Sequence, residues 1–213
     1  MKKILLGLLA IPVAIPVITY FYHGFHKKYP ILVAKLPAQS VLYLHHIGRY
    51  DKISETCHKL GQDLNGETKL FSNAKVGSIF YDDPFKLADP NTARAIVGVF
   101  VPQSHRAVAE EVQKRFPQYE LSDLPEVNTV KSVIRYTSKL TYLWWATRQY
   151  PKMFEFIRAT FGERLGNHMV IEYNEWTGHT IGDIESHVPY GPAVSQWFLS
   201  KAPQPAKKSS SSA

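Results

Sequence analysis

The feature that most constrains this chain is a plan that occurs twice. Gly77 to Pro102, GSIFYDDPFKLADPNTARAIVGVFVP, reads as strand, acidic turn and strand, closing on valine and proline, and Val170 to Pro189, VIEYNEWTGHTIGDIESHVP, reads the same way. Each copy follows a helix-like segment with a similar opening, Tyr50-Asp51-Lys52-Ile53 in the first and Tyr150-Pro151-Lys152-Met153 in the second. In the first helix Ile53, Cys57, Leu60 and Leu64 repeat at helical spacing and form one apolar stripe. In the second, Met153, Ile157 and Phe161 do the same, with Phe154 beside them. Strands expected at Val41 to Ile47 and Val130 to Thr137 precede the helices. The chain therefore reads as an α+β fold, strand-helix-strand-strand in duplicate.

A chain of 213 residues, 45% of them hydrophobic, has enough apolar surface for one substantial core. Its net charge of +7 is unevenly placed. All 18 acidic residues lie between Asp51 and Glu185, where lysines and arginines are nearly as many. The excess sits on the flanks, in Lys2, Lys3, Lys27, Lys28 and Lys35 and in Lys201, Lys207 and Lys208. Nucleic-acid binders concentrate positive charge on the folded surface that meets phosphate, so no nucleic-acid partner is expected. Lysines close to acidic lipid headgroups fit the pattern better.

Ile4 to Tyr22, ILLGLLAIPVAIPVITYFY, carries no charged side chain. As a helix it would reach roughly 28 Å, close to the thickness of a bilayer's hydrocarbon core. The run is longer than a signal-peptide core and lacks a small-x-small cleavage site, so an uncleaved anchor is the expectation. The expected organisation is an anchor over 1–24, a juxtamembrane linker over 25–38, a folded domain over 39–190 and a disordered Pro-Lys-Ser tail over 191–213. The one cysteine, Cys57, lies on the apolar stripe and reads as core. No HExxH, CxxC or Gly-rich phosphate loop occurs. His45 and His46 are neighbours on a strand and point to opposite faces, and Asp82-Asp83 before Pro84 reads as an acidic turn. No metal ligand set and no cofactor are expected.

Tyr81-Asp82-Asp83-Pro84, then Asp89-Pro90, then Val97-Gly98-Val99, resemble the first half of gyrase-inhibitor-like (GyrI-like) domains. The anchor, the Trp144, Ala146, Thr147, Arg148 stretch and the strand end at Tyr173-Asn174-Glu175 are similar to a membrane-anchored branch of that family that serves as a receptor in autophagy of the endoplasmic reticulum. The resemblance implies two strand-helix-strand-strand modules related by a pseudo-twofold axis with a cleft between them. It also implies a single-pass protein of the endoplasmic reticulum or nuclear envelope with its domain in the cytosol. The partners expected are the lipid bilayer and a protein bound through the folded domain. The tail offers Trp197-Phe198-Leu199-Ser200 without an aliphatic fourth residue or an acid, so binding of ubiquitin-like autophagy proteins through a tail motif is not expected.

Some relatives hydrolyse strained electrophilic rings with a glutamate two residues before the second-half tyrosine. Ile171 occupies that position here, and Glu172 is one residue along. Strand alternation turns Glu172 away from Tyr173, which leaves no catalytic residue on the expected cleft face and favours a binding or adaptor module over an enzyme. A bulge would bring Glu172 back. The cleft candidates are Tyr81, Trp144 and Tyr173, with Glu172 conditional on such a bulge. A tethered binder of a small hydrophobic, haem-like ligand is the alternative, and a residual hydrolase is the third reading.

Overall fold

The computed structural model describes residues 17, 19–22, 24–64, 67, 74–83, 86–162, 169–176 and 181–194. Most of the apolar run Ile4 to Tyr22, residues 177–180 and the residues beyond 194 lie outside the described residues, so the anchor and tail expectations do as well. Among the described residues, no helix is long and apolar enough to cross a membrane.

Among the described residues, eight strands form one antiparallel sheet. They are β1 (Leu32–Leu36), β2 (Gln39–Ile47), β3 (Lys75–Phe80), β4 (Arg94–Pro102), β5 (Glu120–Leu124), β6 (Val127–Arg135), β7 (Val170–Trp176) and β8 (Ile181–Tyr190). Among the described residues, three α-helices accompany the sheet: α1 (Ile53–Asp63), α2 (Arg106–Arg115) and α3 (Lys139–Phe161). The sheet order is β1-β6-β8-β7-β3-β4-β2-β5. Read outward from the central β7–β3 pair, β7-β8-β6 mirrors β3-β4-β2, and each half carries its helix after its first strand. An extra strand flanks each half, β1 beside β6 and β5 beside β2.

β2 and β4 are apolar on both faces because both faces are covered. Val41, Tyr43, Ile96 and Phe100 point into one cluster, while Leu42, Val97, Val99 and Val101 point into another beneath α1 and α2. Leu36 at the end of β1 and Leu124 at the end of β5 belong to the first cluster although they come from opposite sheet edges, so the sheet curls around it. The α1 stripe seats Leu60 and Leu64, both fully buried, on β2 and β4. In α3, Trp145, Gln149, Met153 and Ile157 repeat every four residues and face β6 and β8.

The second helix starts eleven residues before the Tyr150 opening read from sequence. Ser138 caps it, its Oγ accepting the Thr141 N–H at 3.1 Å. Pro151 removes one backbone donor from the helix interior but does not end it, because the buried stripe continues on both sides. Gly162, at φ 68°, terminates the helix in the left-handed conformation that favours glycine. The expected linker also contains structure, since Leu32–Leu36 pairs with β6 as an edge strand.

Candidate functional site

α1 packs on β2 and β4, and α3 packs on β6 and β8, so the seam between them lies over the two central strands β3 and β7. At that seam Glu172 of β7 stands in register with Ser78 of β3 on one side and Ser186 of β8 on the other, and Ser186 pairs onward with Ser132 of β6. All four are buried. Alternation puts them on the helix-facing side of the sheet, making a polar row across an otherwise apolar layer.

The helices reach down to this row. The Tyr142 hydroxyl donates to Glu172 Oε1 at 2.7 Å, and the Tyr150 hydroxyl donates to the same oxygen and lies 3.4 Å from Ser186 Oγ. Next to Tyr150 on α3, Gln149 Nε2 donates to Ser132 Oγ at 3.0 Å and to the Tyr29 carbonyl at 3.1 Å. Trp145 is fully buried, its ring 5.2 Å from that of Tyr150 and edge-on to it. Its indole N–H finds no acceptor among the described residues. From the other side, Tyr50 packs edge-on against Phe80 at 4.9 Å and donates its hydroxyl to the Arg94 carbonyl at 2.8 Å.

Burial raises the Glu172 carboxyl to about 7, against a partial pull downward from the Tyr142 hydroxyl. Burial also pushes the Cys57 thiol up to about 11, with the Glu172 charge adding to the effect, so Cys57 remains a protonated thiol on the α1 side. The Tyr142 hydroxyl is raised well above its ordinary value by burial and then by Glu172, so it stays a donor. The arrangement is a carboxyl that exchanges its proton near neutrality, walled by tyrosines and a tryptophan. Such a group accepts hydrogen bonds and pairs with a cation when ionised, and donates when protonated.

The four candidates read from sequence fall in three separate places. Tyr173 does point opposite to Glu172, as alternation requires, but the seam is on the Glu172 side. Tyr173 packs edge-on against Phe100 at 5.0 Å within the curled sheet, its hydroxyl accepting from Gln39 Nε2 at 2.5 Å. Tyr81 is 2% exposed in the same cluster. Trp144 lies on the outer side of α3, stacked on Phe25 at 4.9 Å. The expectation that Glu172 enters an apolar enclosure only through a bulge is corrected here. Glu172 needs no bulge to reach the seam, because the helices and not the Tyr173 face define it. Ser78, Ser186 and Tyr50 were not read from sequence as site residues, and Tyr142 and Tyr150 belonged to the aromatic-rich second half without being chosen as cleft candidates. The available signal was a polar residue set among apolar ones in each central strand, Ser78 in VGSIF and Glu172 in VIEY.

Asp82 holds the strand turn. Its carboxylate accepts from Arg94 Nη2 at 2.7 Å, from Arg94 Nε at 2.9 Å and from the Arg94 backbone N–H at 2.9 Å. This bears out the reading of the acidic pair as a turn device. Among the described residues, no group of three or more His, Cys, Asp or Glu is placed to hold a metal ion. Both Asp82 and Arg94 are largely buried, so Asp82→Ala should cost about 2 kcal/mol in urea unfolding. Part of that cost should be screened by salt.

No curated protein matches the chain. Among solved structures, the C-terminal domain of EcmrR has a TM-score of 0.50 at 11% identity, covering 76% of this chain and 98% of that one. SAV2435 bound to tetraphenylphosphonium has a TM-score of 0.49 at 9% identity, over 81% of this chain and 99% of that one. A hydrolase from Listeria innocua has a TM-score of 0.45 at 12% identity, over 81% of this chain and 98% of that one. At such identities a likeness speaks to fold alone. The model of the GyrI-like small molecule binding domain matches residues 30–154, more than half of the sequence. The chain belongs to the GyrI-like small molecule binding domain family.

Proposed function

We propose that this chain binds an apolar small molecule bearing a cationic or hydrogen-bond-donating group at the seam between α1 and α3, with Glu172 as its polar anchor. The observation that carries this reading is the buried Glu172 carboxyl, raised to about 7 and held by the hydroxyls of Tyr142 and Tyr150. Apolar and aromatic walls around one polar group are the usual make-up of a small-molecule site. A bound cation replaces the proton, and the carboxylate then has a partner in place of solvent.

The family places small-molecule binding ahead of the protein adaptor role read first from sequence. In this proposal the mirrored strand order reflects an internal duplication. The apolar run Ile4 to Tyr22 tethers the domain to the endoplasmic reticulum or nuclear envelope on the cytosolic side, and any role in autophagy of that organelle depends on partners bound through the domain. The binding reading is tested with the full chain in mild detergent, by isothermal titration with a panel of hydrophobic cations and their neutral isosteres. Cations should bind, and Glu172→Gln should weaken them at least about tenfold while leaving the isosteres within about twofold. Equal affinity of wild type and variant for the cations would remove Glu172 from the site.

One observation favours a second reading. A carboxyl near pH 7 beside two tyrosine hydroxyls is suited to general acid catalysis, which returns the hydrolase of strained electrophiles to consideration. Turnover of an epoxide by wild type and its loss in Glu172→Gln would support it. Equal turnover in both would dismiss it.

A further inference from the structure

The first turns of α3 are apolar on both sides of the helix. Trp145 and Ala146 are buried on the inward side, beside the polar Thr141 and Gln149. Leu140 and Leu143, on the outer side, are 52% and 55% exposed. Trp144 borders that outer stripe, half-buried, its ring stacked on Phe25 at 4.9 Å and packed against the cluster of Ile134, Trp145 and Ile184. Phe25 comes three residues after Tyr22, and Tyr20, Phe21 and Tyr22 are all exposed, with Phe21 at 59%. A helix that is apolar on its outward side as well as its inward one needs a second apolar neighbour.

The charged residues nearest the patch along the chain are basic. Lys27, Lys28, Lys139 and Arg148 are exposed beside it, and the Arg148 guanidinium lies 4.9 Å from the Trp144 ring centre. α3 has no acid before Glu155, and the chain has none before Asp51. Exposed leucines with an aromatic belt and a basic rim are the make-up of a surface that lies in a lipid interface. The patch is continuous with the end of the apolar run Ile4 to Tyr22, through the Phe25–Trp144 stack.

We propose that the outer face of α3, formed by Leu140, Leu143 and Trp144, docks onto an anionic lipid bilayer and holds the domain flat against it. This rests on the reading that the preceding apolar run enters that bilayer. It adds that the folded domain itself touches lipid in a fixed orientation. The seam residues Tyr142 and Tyr150 occupy the same helix, so docking would place the Glu172 site close to the interface from which an apolar ligand would arrive.

The test uses the full chain with Cys57→Ala, reconstituted in phosphatidylcholine vesicles with and without phosphatidylserine. A spin label is attached at Leu143→Cys or, for comparison, at Glu111→Cys on the exposed side of α2, after thermal melts have shown both variants folded. Flotation after carbonate extraction reports the anchor independently. The proposal expects the Leu143 label to relax faster with lipid-dissolved oxygen than with a water-soluble nickel chelate, more so with phosphatidylserine, and the Glu111 label to show the reverse. Vesicles that float with the Leu143 label as water-accessible as the Glu111 label would overturn docking alone. A chain that fails to float would overturn docking together with the anchor on which it rests.

Discussion

Glu172→Gln should make the protein more stable at pH 8 than the wild type, by up to about 3 kcal/mol, with the difference vanishing near pH 4.5. The size comes from a carboxyl raised from 4.5 to about 7, at about 1.4 kcal/mol per pH unit. The sign follows from proton counting. Between those two values the folded protein holds a proton on Glu172 that the unfolded chain has released, so raising the pH favours unfolding until Glu172 is ionised in both states. Glutamine keeps the shape, still accepts from Tyr142 and Tyr150, and cannot ionise. Other groups titrate in this range, including His187, whose proton affinity is lowered by burial, and their contributions cancel in the difference between variant and wild type. Urea unfolding at intervals from pH 5 to 8 reads the effect directly. Parallel stability curves for variant and wild type would mean an ordinary, solvated carboxyl.

The second large effect concerns the joint between the two halves. Gly77 lies on β3 opposite Tyr173 of β7, the strand that carries Glu172. A Cβ built there would collide with the backbone carbonyl oxygen of Glu172 and come within 3.2 Å of the Phe100 ring. A backbone oxygen cannot turn aside as a flexible side chain would, so Gly77→Ala must push β3 and β7 apart. A cost of about 3 kcal/mol is expected, at the upper end of ordinary overpacking. The variant should also show a lower Glu172 pKa if it folds, because a parted strand pair admits water to the seam. Calorimetric melts together with a carboxyl titration separate the two consequences. A melting temperature unchanged from wild type would show that the strands are not so closely joined.

Much of the frame was legible because it follows from periodicity. The α1 stripe of Ile53, Cys57, Leu60 and Leu64, the two-sided apolar strands β2 and β4, and the turn built on Asp82 all depend on neighbours along the chain. The opposed directions of Glu172 and Tyr173 were legible for the same reason. Where the helices lie over the sheet was not, since it depends on contacts distant in sequence, and it decides which strand face becomes the seam. That is why Tyr81 and Tyr173 were expected in a cleft and lie instead inside the curled sheet. The start of α3 was hidden by Pro151, a residue that ends helices when tertiary packing does not sustain them. β1 was hidden between Pro30 and Pro37, where a five-residue edge strand has no alternation to announce it.

The central claim is that Glu172 is a buried carboxyl whose charge a ligand, and not solvent, satisfies. The most direct measurement is a carboxyl-carbon NMR titration of Glu172 in the full chain in detergent micelles, first alone and then saturated with a hydrophobic cation that binds it. The account predicts a midpoint near 7 without the cation and a fall of at least about one pH unit with it, as an opposite charge at close range favours the ionised form. A midpoint in the ordinary glutamate range that the bound cation does not move would contradict it.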